Sequence, residues 1–188
     1  MIYPEPIKGH FVTLRSITLD DAEFSYNLRK DPRFVSIMGQ PAATLEDQKK
    51  FIEWQMKQPG DYYFVVLNRA GERIGLIGVY DIQGVTAETG REVNVGESYE
   101  TMEAEILLCD FCIKMLHLKI KTGVIYKHNK KQIELQRKLG LTPVEEIVRS
   151  GVPAYKYKVD FSILQNSYQK AKRMIEKLAK EGEKSNEL

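Results

Sequence analysis

The residues that can support chemistry lie mainly between Glu88 and Leu141. Glu88 and Glu92 fall on the same side of an alternating run, residues 88–95, that predicts a β-strand. The turn that begins at Gly96 leads into an amphipathic helix, and the free N–H groups at a helix N-terminus can bind an anion. This stretch therefore offers carboxylates next to a possible anion site.

Three acidic residues surround that helix start: Glu97, Glu100 and Glu103. Negative charge there stabilises the helix through its dipole, which is a purely structural role. The same charge opposes the binding of an anion. Both interpretations remain open from the residues alone.

Cys109 and Cys112 form a C-x-x-C pair in the middle of the predicted helix. Redox-active pairs of this kind lie at a helix start, where the dipole lowers a thiol pKa, so we predict that these cysteines pack in the core. Together with His117 and His128 they match no common zinc spacing, and we predict no metal site.

The surrounding sequence predicts strands and helices in a mixed arrangement. The strand at 88–95, the helix and a strand at 118–126 predict two parallel strands joined by a right-handed crossover. The other predicted elements are a strand at 11–14, helices that begin at Thr18 and Thr44, strands at 62–67, 74–82 and 85–88, a helix from Asn129 to Gly140, strands at 144–148 and 155–163, and a final helix. This order predicts an α/β sheet with helices packed on it.

Composition narrows the class of protein. The chain has 188 residues, of which 43% are hydrophobic and 29% charged, as in ordinary globular domains. A net charge of +2 gives no reason to expect nucleic acid as a partner. No apolar run reaches the roughly 20 residues that span a membrane, and the first residues lack the apolar core of a signal peptide. With two cysteines and no disulfide framework, we expect a cytoplasmic protein.

The order of elements and motifs resembles the GNAT superfamily of acetyl-CoA-dependent N-acetyltransferases over about residues 8 to 163. The motifs that carry this resemblance are Leu14-Arg15 with Asp20-Asp21-Ala22-Glu23, Leu28-Arg29 and Asp31-Pro32, then Gly71 to Gly78, then Glu88-x-Gly90-Arg91 with Ser98 and Glu103-Ala104, and finally Asn129 with Leu139-Gly140-Leu141. The first group looks like the ribosomal-protein-acetylase-like branch. The resemblance implies one GNAT-like domain, residues 1–163, with a mixed, mostly antiparallel twisted sheet and helices on both faces. It leaves residues 164–188 as a C-terminal amphipathic helix and tail on the same domain.

The resemblance also implies where acetyl-CoA binds. The predicted cofactor residues are the strand backbone at Val93, Asn94 and Val95, the loop and helix start at Ser98, Tyr99, Glu100, Thr101 and Met102, and Asn129, Lys131 and Gln136 on the next helix. Two departures from the family pattern stand out. The usual glycine-rich loop is absent, since Glu97 to Met102 takes its place. Gln136 stands where many members have a tyrosine that protonates the leaving thiolate, and glutamine cannot act as that acid.

For catalysis, the resemblance assigns Glu88 as the residue that takes or relays the proton of the amine, with Glu92 as the alternative. The structural alternatives for Glu88 are a solvated carboxylate at the start of a strand, or an ion pair with Arg91 or Arg149. The implied reaction moves an acetyl group from acetyl-CoA to a primary amine of a small molecule or amino sugar. Two other hypotheses stay open: a GNAT-fold protein that binds a ligand or partner without catalysis, and a protein N-terminus or lysine as the acceptor. We expect a monomer or homodimer that binds neither membrane nor nucleic acid.

Overall fold

A computed structural model of the chain describes residues 1–38, 41–138 and 141–185. Within these residues the chain forms eight strands and seven helices. In chain order they are β1 (Ile7–Lys8), β2 (Val12–Ser16), α1 (Ala22–Lys30), α2 (Pro32–Met38), α3 (Leu45–Lys57), β3 (Tyr62–Asn68), β4 (Arg73–Gln83), β5 (Thr86–Asn94), α4 (Ser98–Lys114), β6 (Ile120–Tyr126), α5 (Lys130–Lys138), β7 (Pro143–Arg149), β8 (Val152–Asp160), α6 (Phe161–Ser167) and α7 (Gln169–Ser185). A 3-10 turn, Leu19–Asp21, precedes α1.

The strands form a single mixed sheet in the order β1-β2-β3-β4-β5-β6-β8-β7. Every neighbouring pair is antiparallel except β5 and β6, which are parallel and joined through α4. The predicted fold is therefore confirmed: one α/β domain with a mixed, mostly antiparallel sheet and a parallel strand-helix-strand unit.

Helices cover both faces of the sheet. Alternation along β3 shows this directly, because Tyr63 and Val65 join the core cluster of α1 and α3, whereas Phe64 and Val66 join the cluster of α4, α6 and α7. We call these sides the α1/α3 face and the α4/α7 face. Each core keeps its apolar side chains away from water, and the sheet lies between them.

Local capping fixes several boundaries that the sequence predicts. Thr44 begins α3 through a reciprocal capping box with Asp47. The Asp47 amide donates to the Thr44 hydroxyl at 3.1 Å, and the Asp47 carboxylate accepts from the Thr44 amide at 3.2 Å. Asp31 ends α1 as predicted. The prediction missed α2, because Pro32 does not only stop one helix but also fits the first position of the next.

The predicted strand at 155–163 is too long at its end. β8 stops at Asp160, whose carboxylate accepts a hydrogen bond from the Ser162 amide at 2.7 Å and so caps α6. Phe161 and Leu164 are then buried on a helix. Alternating apolar residues extend across this boundary, and for that reason the pattern alone did not separate strand from helix.

β5 and β6 pair over only three residues. Thr86, Ala87 and Glu88 pair with Ile120, Lys121 and Thr122, and beyond these the two strands form no further ladder. Residues 89–94 and 123–126 remain in strands through their other neighbours. The two strands therefore part, and we call the opening between 89–94 and 123–126 the β5–β6 cleft.

β5 also contains a bulge beside this cleft. Gly78 of β4 pairs with Gly90 and Leu76 pairs with Val93, so Arg91 and Glu92 together stand opposite one residue of β4. Arg91 has a φ of 51°, in the left-handed region. A non-glycine residue adopts this conformation at a cost that its surroundings must offset.

Candidate active site

The bulge places Glu88 and Glu92 on opposite faces of the sheet. Ala87 belongs to the core of the α4/α7 face and Val93 to the core of the α1/α3 face, although an even number of steps separates them. In a regular strand both would share a face. The prediction that Glu88 and Glu92 lie on one side is therefore wrong, because the extra residue at the bulge inverts the alternation.

Glu88 lies on the α1/α3 face in a hydrogen-bonded cluster. The Tyr80 hydroxyl donates to Glu88 Oε1 at 2.9 Å, and Arg149 Nη1 donates to the same oxygen at 2.6 Å. Burial raises the pKa of Tyr80 above its ordinary range, and the charge of Glu88 raises it further, so the hydroxyl remains a donor. Burial opposes the charge of Arg149, yet its hydrogen bond to Glu88 leaves its pKa raised. The predicted alternative of an ion pair between Glu88 and Arg149 is confirmed.

Arg91 makes a different pair. Its Nη1 donates to both carboxylate oxygens of Asp61, at 2.7 and 2.9 Å. The guanidinium lies over the ring of Tyr80, 4.0 Å from the centroid, and near Phe51 of α3. These contacts hold the bulge residue on the α1/α3 face and offset its backbone strain.

Glu92 lies on the α4/α7 face, close to Glu105 of α4 and Lys121 of β6. Burial and then repulsion from Glu105 raise the pKa of Glu92 to about 8, against the opposing influence of Lys121. Glu105 itself accepts a hydrogen bond from the Tyr168 hydroxyl at 2.8 Å. This shift favours the protonated form of Glu92, which makes it a weaker base than an ionised carboxylate.

The start of α4 is acidic, but less so than the sequence suggests. The Glu100 carboxylate accepts from the Glu97 amide at 2.8 Å, and the Asn94 side chain accepts from the Gly96 amide at 2.8 Å. Glu103 points elsewhere: its buried carboxylate accepts three amides of residues 10–12, at 2.7 to 2.9 Å. Two carboxylates, not three, thus remain near the helix terminus.

The other predicted cofactor residues on β5 and α4 differ in which of their groups are exposed and which are already used in packing or hydrogen bonds. Val93 is buried in the core, so only its main-chain groups can face a ligand. The Val95 side chain is exposed, but the Val95 amide already donates to the Ile74 carbonyl at 2.8 Å. Ser98 is exposed in the first turn of α4, where the Thr101 amide donates to the Glu97 carbonyl at 3.0 Å. Two further side chains are used in packing: Tyr99 lies edge-on to Phe11, and Met102 contacts the core of the α4/α7 face.

α5 begins as predicted at Asn129, whose side chain accepts from the Gln132 amide at 3.2 Å. Gln136 is half-buried on this helix. Lys127 pairs with Glu146 at 2.6 Å, so its charge is already matched. The side chain of Lys131 and the predicted motif residues Leu139 and Gly140 lie outside the described residues.

Cys109 and Cys112 are free and buried in α4, which confirms their packing role. Burial raises the pKa of the Cys109 thiol to about 11 and that of the Cys112 thiol to about 12, so neither is a reactive thiolate. In the part of the chain that the structure describes, no three His, Cys, Asp or Glu residues are grouped as metal ligands. Of the described helices, none combines the length and apolar character needed to span a bilayer.

Comparison with known proteins identifies the family. A model of the acetyltransferase (GNAT) domain matches residues 12–142. The chain belongs to the GNAT acetyltransferase family. Membership implies acyl-CoA-dependent acetyltransferase activity, and acetyl-CoA is the co-substrate that the family uses. No curated protein matches the chain.

Solved structures share this GNAT fold at low identity. A GCN5-related N-acetyltransferase from Brucella melitensis is 14% identical, with a TM-score of 0.76 over 92% of this chain and 86% of that one. FdhC, a nucleotide-linked sugar GNAT, is 18% identical, with a TM-score of 0.74 over 92% of this chain and 99% of that one. Spermidine N-acetyltransferase from Vibrio cholerae, in complex with CoA and spermine, is 17% identical, with a TM-score of 0.71 over 81% of this chain and 98% of that one. At these identities the likeness shows the fold.

The residues around the β5–β6 cleft fit acetyl-CoA in part. The cleft gives the GNAT chain a strand edge that β6 does not occupy, and an extended amide-containing arm can pair with such an edge. The first turn of α4 adds amides without helical partners. Against this, Glu97 and Glu100 stand where the phosphates of a nucleotide would approach.

Two residues of this site, Tyr80 and Asp61, are absent from the sequence prediction. Tyr80 looks like an ordinary apolar strand residue, and Asp61 like part of a turn after Pro59-Gly60. The sheet order brings Tyr80 to Glu88, and the bulge brings Arg91 to Asp61. Neither contact has a local signal in the sequence.

Proposed function

We propose that this GNAT protein transfers an acetyl group from acetyl-CoA to a primary amine of a small molecule or amino sugar. The observation that carries the proposal is the parting of β5 and β6 directly after Glu88, which leaves a strand edge open beside the Tyr80–Glu88–Arg149 cluster. An acceptor amine on the α1/α3 face would then meet the carboxylate at the point where the cleft opens.

When bound, acetyl-CoA supplies an acetyl group activated as a thioester. The residues proposed to hold it are the main chain of Val93, Asn94 and Val95, the start of α4 at Ser98, Tyr99, Glu100, Thr101 and Met102, and Asn129, Lys131 and Gln136 of the α5 region. When the cofactor is bound, main-chain amides in this cleft would donate hydrogen bonds to the acetyl carbonyl and so polarise it. The Gln136 amide can donate a hydrogen bond to a sulfur but cannot protonate it, so water is the proposed proton donor to the leaving thiolate.

Glu88 is the proposed base or proton relay. Both hydrogen bonds from Tyr80 and Arg149 end on Oε1. Within the described residues no such bond ends on Oε2, so that oxygen can accept the proton of an amine. Tyr80 and Arg149 would fix the orientation of the carboxylate, which favours proton transfer along one direction.

Glu92 is the alternative base. It lies on the opposite face, and its raised pKa means that it would accept a proton efficiently only at pH above about 8. A reaction whose rate rises with an ionisation near that pH, and which is lost in Glu92→Gln, would favour Glu92 over Glu88.

A second candidate function is ligand or partner binding without catalysis. The acidic start of α4 and Gln136 in place of a tyrosine favour it, since both weaken features on which transfer depends. A protein N-terminus or lysine is the alternative acceptor. Membership of the ribosomal-protein-acetylase-like branch, a cytoplasmic location, and a monomer or homodimer also remain predictions.

The test incubates the protein with acetyl-CoA and a panel of primary amines. Two readouts are measured: the release of the free CoA thiol and the mass of the acetylated product. We expect turnover with at least one small amine. Glu88→Gln should lower turnover by about 10²-fold or more, because glutamine keeps the shape but cannot take a proton. Acetyl-CoA affinity should hardly change.

Glu145→Gln, which alters an exposed carboxylate on β7, is the matched control and should behave like the wild type. If Glu88→Gln stays within about threefold of the wild type on a confirmed acceptor, Glu88 is not the base. If acetyl-CoA binds but neither amines nor protein substrates are acetylated, the non-catalytic function is the correct one.

A further inference from the structure

The last helix, α7, has a row of positive charge on the side that faces away from the core. Its members are exposed and follow one another at steps of three or four residues: Lys170, Arg173, Lys177 and Lys180. Residues at these steps lie along one side of a helix, here over a length of about 15 Å. Ile175 and Ala179, on the other side, are buried. We call this row the α7 stripe.

The positive charge of the protein is concentrated on this helix. α7 contains six Lys or Arg residues and three Glu residues, a formal charge of +3, whereas the whole chain carries +2. The small net charge of the whole chain, which gave no reason to expect a polyanionic partner such as nucleic acid, therefore hides a local excess.

The usual structural roles of surface lysines account for only part of the stripe. The helix dipole favours cations near the C-terminal end, as for Lys180, but disfavours Lys170 in the first turn. Like charges three or four residues apart also destabilise a helix. Lys177 pairs with Glu181 at 3.7 Å, but these side chains are 77% and 60% exposed, and so exposed a pair contributes little. The stripe thus keeps a repulsion that an anionic surface outside the protein would relieve.

Two exposed apolar side chains lie beside the stripe. Met174 and Leu178 each follow a stripe residue in the sequence and are 51% and 39% exposed. They stand four residues apart, so they form a short apolar row along the helix. A phosphate backbone gains nothing from such side chains, whereas at a bilayer they can enter the boundary between headgroups and acyl chains. A second copy of the chain that docked through α7 would present the same positive row and be repelled.

We infer that the α7 stripe docks the protein onto an anionic lipid surface, with its cations over the headgroup phosphates and with Met174 and Leu178 at the acyl boundary. Clusters of about four to eight Lys or Arg residues on an amphipathic helix are typical of such binding. α7 packs on the α4/α7 face through Ile175, so docking leaves the α1/α3 face, which holds Glu88, open to an acceptor. The inference does not depend on the proposed transfer reaction.

The test is co-sedimentation with vesicles of phosphatidylcholine alone and of phosphatidylcholine mixed with phosphatidylglycerol. We expect binding only to the anionic vesicles, and weaker binding at high salt, because the attraction is between charges. Arg173→Gln combined with Lys177→Gln should weaken this binding by about 25-fold, since each charge near a bilayer contributes about fivefold. Lys49→Gln with Lys50→Gln, the same loss of charge on exposed residues of α3, is the control and should stay within about threefold of the wild type.

Urea unfolding checks that both variants are folded. The α7 variant should be at least as stable as the wild type, because it has fewer like charges side by side. Met174→Ser combined with Leu178→Ser should weaken binding to the anionic vesicles several-fold while the charge stays the same.

Equal binding to both kinds of vesicle, or an equal loss of binding in the α3 control, would overturn the inference. Tighter binding to a homopolymeric RNA than to the anionic vesicles, or a dimer that dissociates in the α7 variant, would overturn it as well. Titration of the α7 variant with acetyl-CoA should match the wild type, so failure of docking and failure of the proposed transfer reaction are separate results.

Discussion

At the scale of single residues, Glu92 has surroundings that its sequence position does not suggest. Its folded-state pKa of about 8 lies above the ordinary value of 4.5, so the folded state favours the protonated form. The stability that this proton provides is complete below about pH 4.5 and is lost progressively as the pH rises to about 8. Glu92→Gln does not titrate and should avoid this loss.

We therefore expect Glu92→Gln to gain stability over the wild type as the pH rises through this window. The gain should be on the order of 2 kcal/mol, less than the full pKa shift corresponds to, because the half-buried side chain is partly screened by solvent. Urea denaturation at several pH values from about 4.5 to above 8 measures the difference. Glu145→Gln, on an exposed side chain, should show no such trend. An advantage that is constant with pH would contradict the raised pKa of Glu92.

If the start of α4 binds the phosphates of acetyl-CoA, as proposed, Glu100 should weaken that binding. Its carboxylate places a negative charge at the helix terminus and occupies the Glu97 amide. Glu100→Gln should tighten acetyl-CoA binding by several-fold, roughly 1 kcal/mol, because it removes the repulsion but keeps a possible hydrogen bond. The gain should shrink at high salt if charge is its cause. Unchanged or weaker affinity would mean that the phosphates do not bind at this terminus.

At the scale of elements, the bulge in β5 determines which groups meet at the site. Arg91→Ala should destabilise the protein by about 3 kcal/mol, because it leaves the Asp61 side chain, 8% exposed, without its guanidinium. Arg91→Gly loses the same ion pair but tolerates the φ of 51°. It should therefore be more stable than the alanine variant by about 1 kcal/mol in urea unfolding. A glycine variant no more stable than the alanine variant would argue against a left-handed residue at this position.

Local signals in the sequence predicted the elements better than their contacts. Thr44 with Asp47, and Asn129, are capping residues whose partners lie within three positions, so the sequence alone reveals them. The bulge has no such signature, because an arginine in the left-handed region is held by Asp61, 30 residues away, and by the Tyr80 ring. The ion pair of Glu88 and Arg149 joins residues 61 positions apart, so no local pattern in the sequence predicts it. The order of the strands in the sheet brings the two residues together.

At the scale of the whole molecule, the parallel contact between β5 and β6 is the feature on which the functional account depends. The alternation of strands and helices predicted that contact, but not that it would last for only three residue pairs before the strands part. The division into residues 1–163 and 164–188 stays a prediction. Leu164, Tyr168 and Ile175 nevertheless share the core of the α4/α7 face with α4.

The most direct test of the account is a calorimetric titration of the protein with acetyl-CoA. The parted strands and the first turn of α4 should together bind it in the low-micromolar to sub-millimolar range, a free energy of roughly −5 to −8 kcal/mol. We predict a saturable, one-site isotherm in this range. Absence of binding at millimolar acetyl-CoA would contradict both the proposed transfer reaction and the assignment of the β5–β6 cleft as its site.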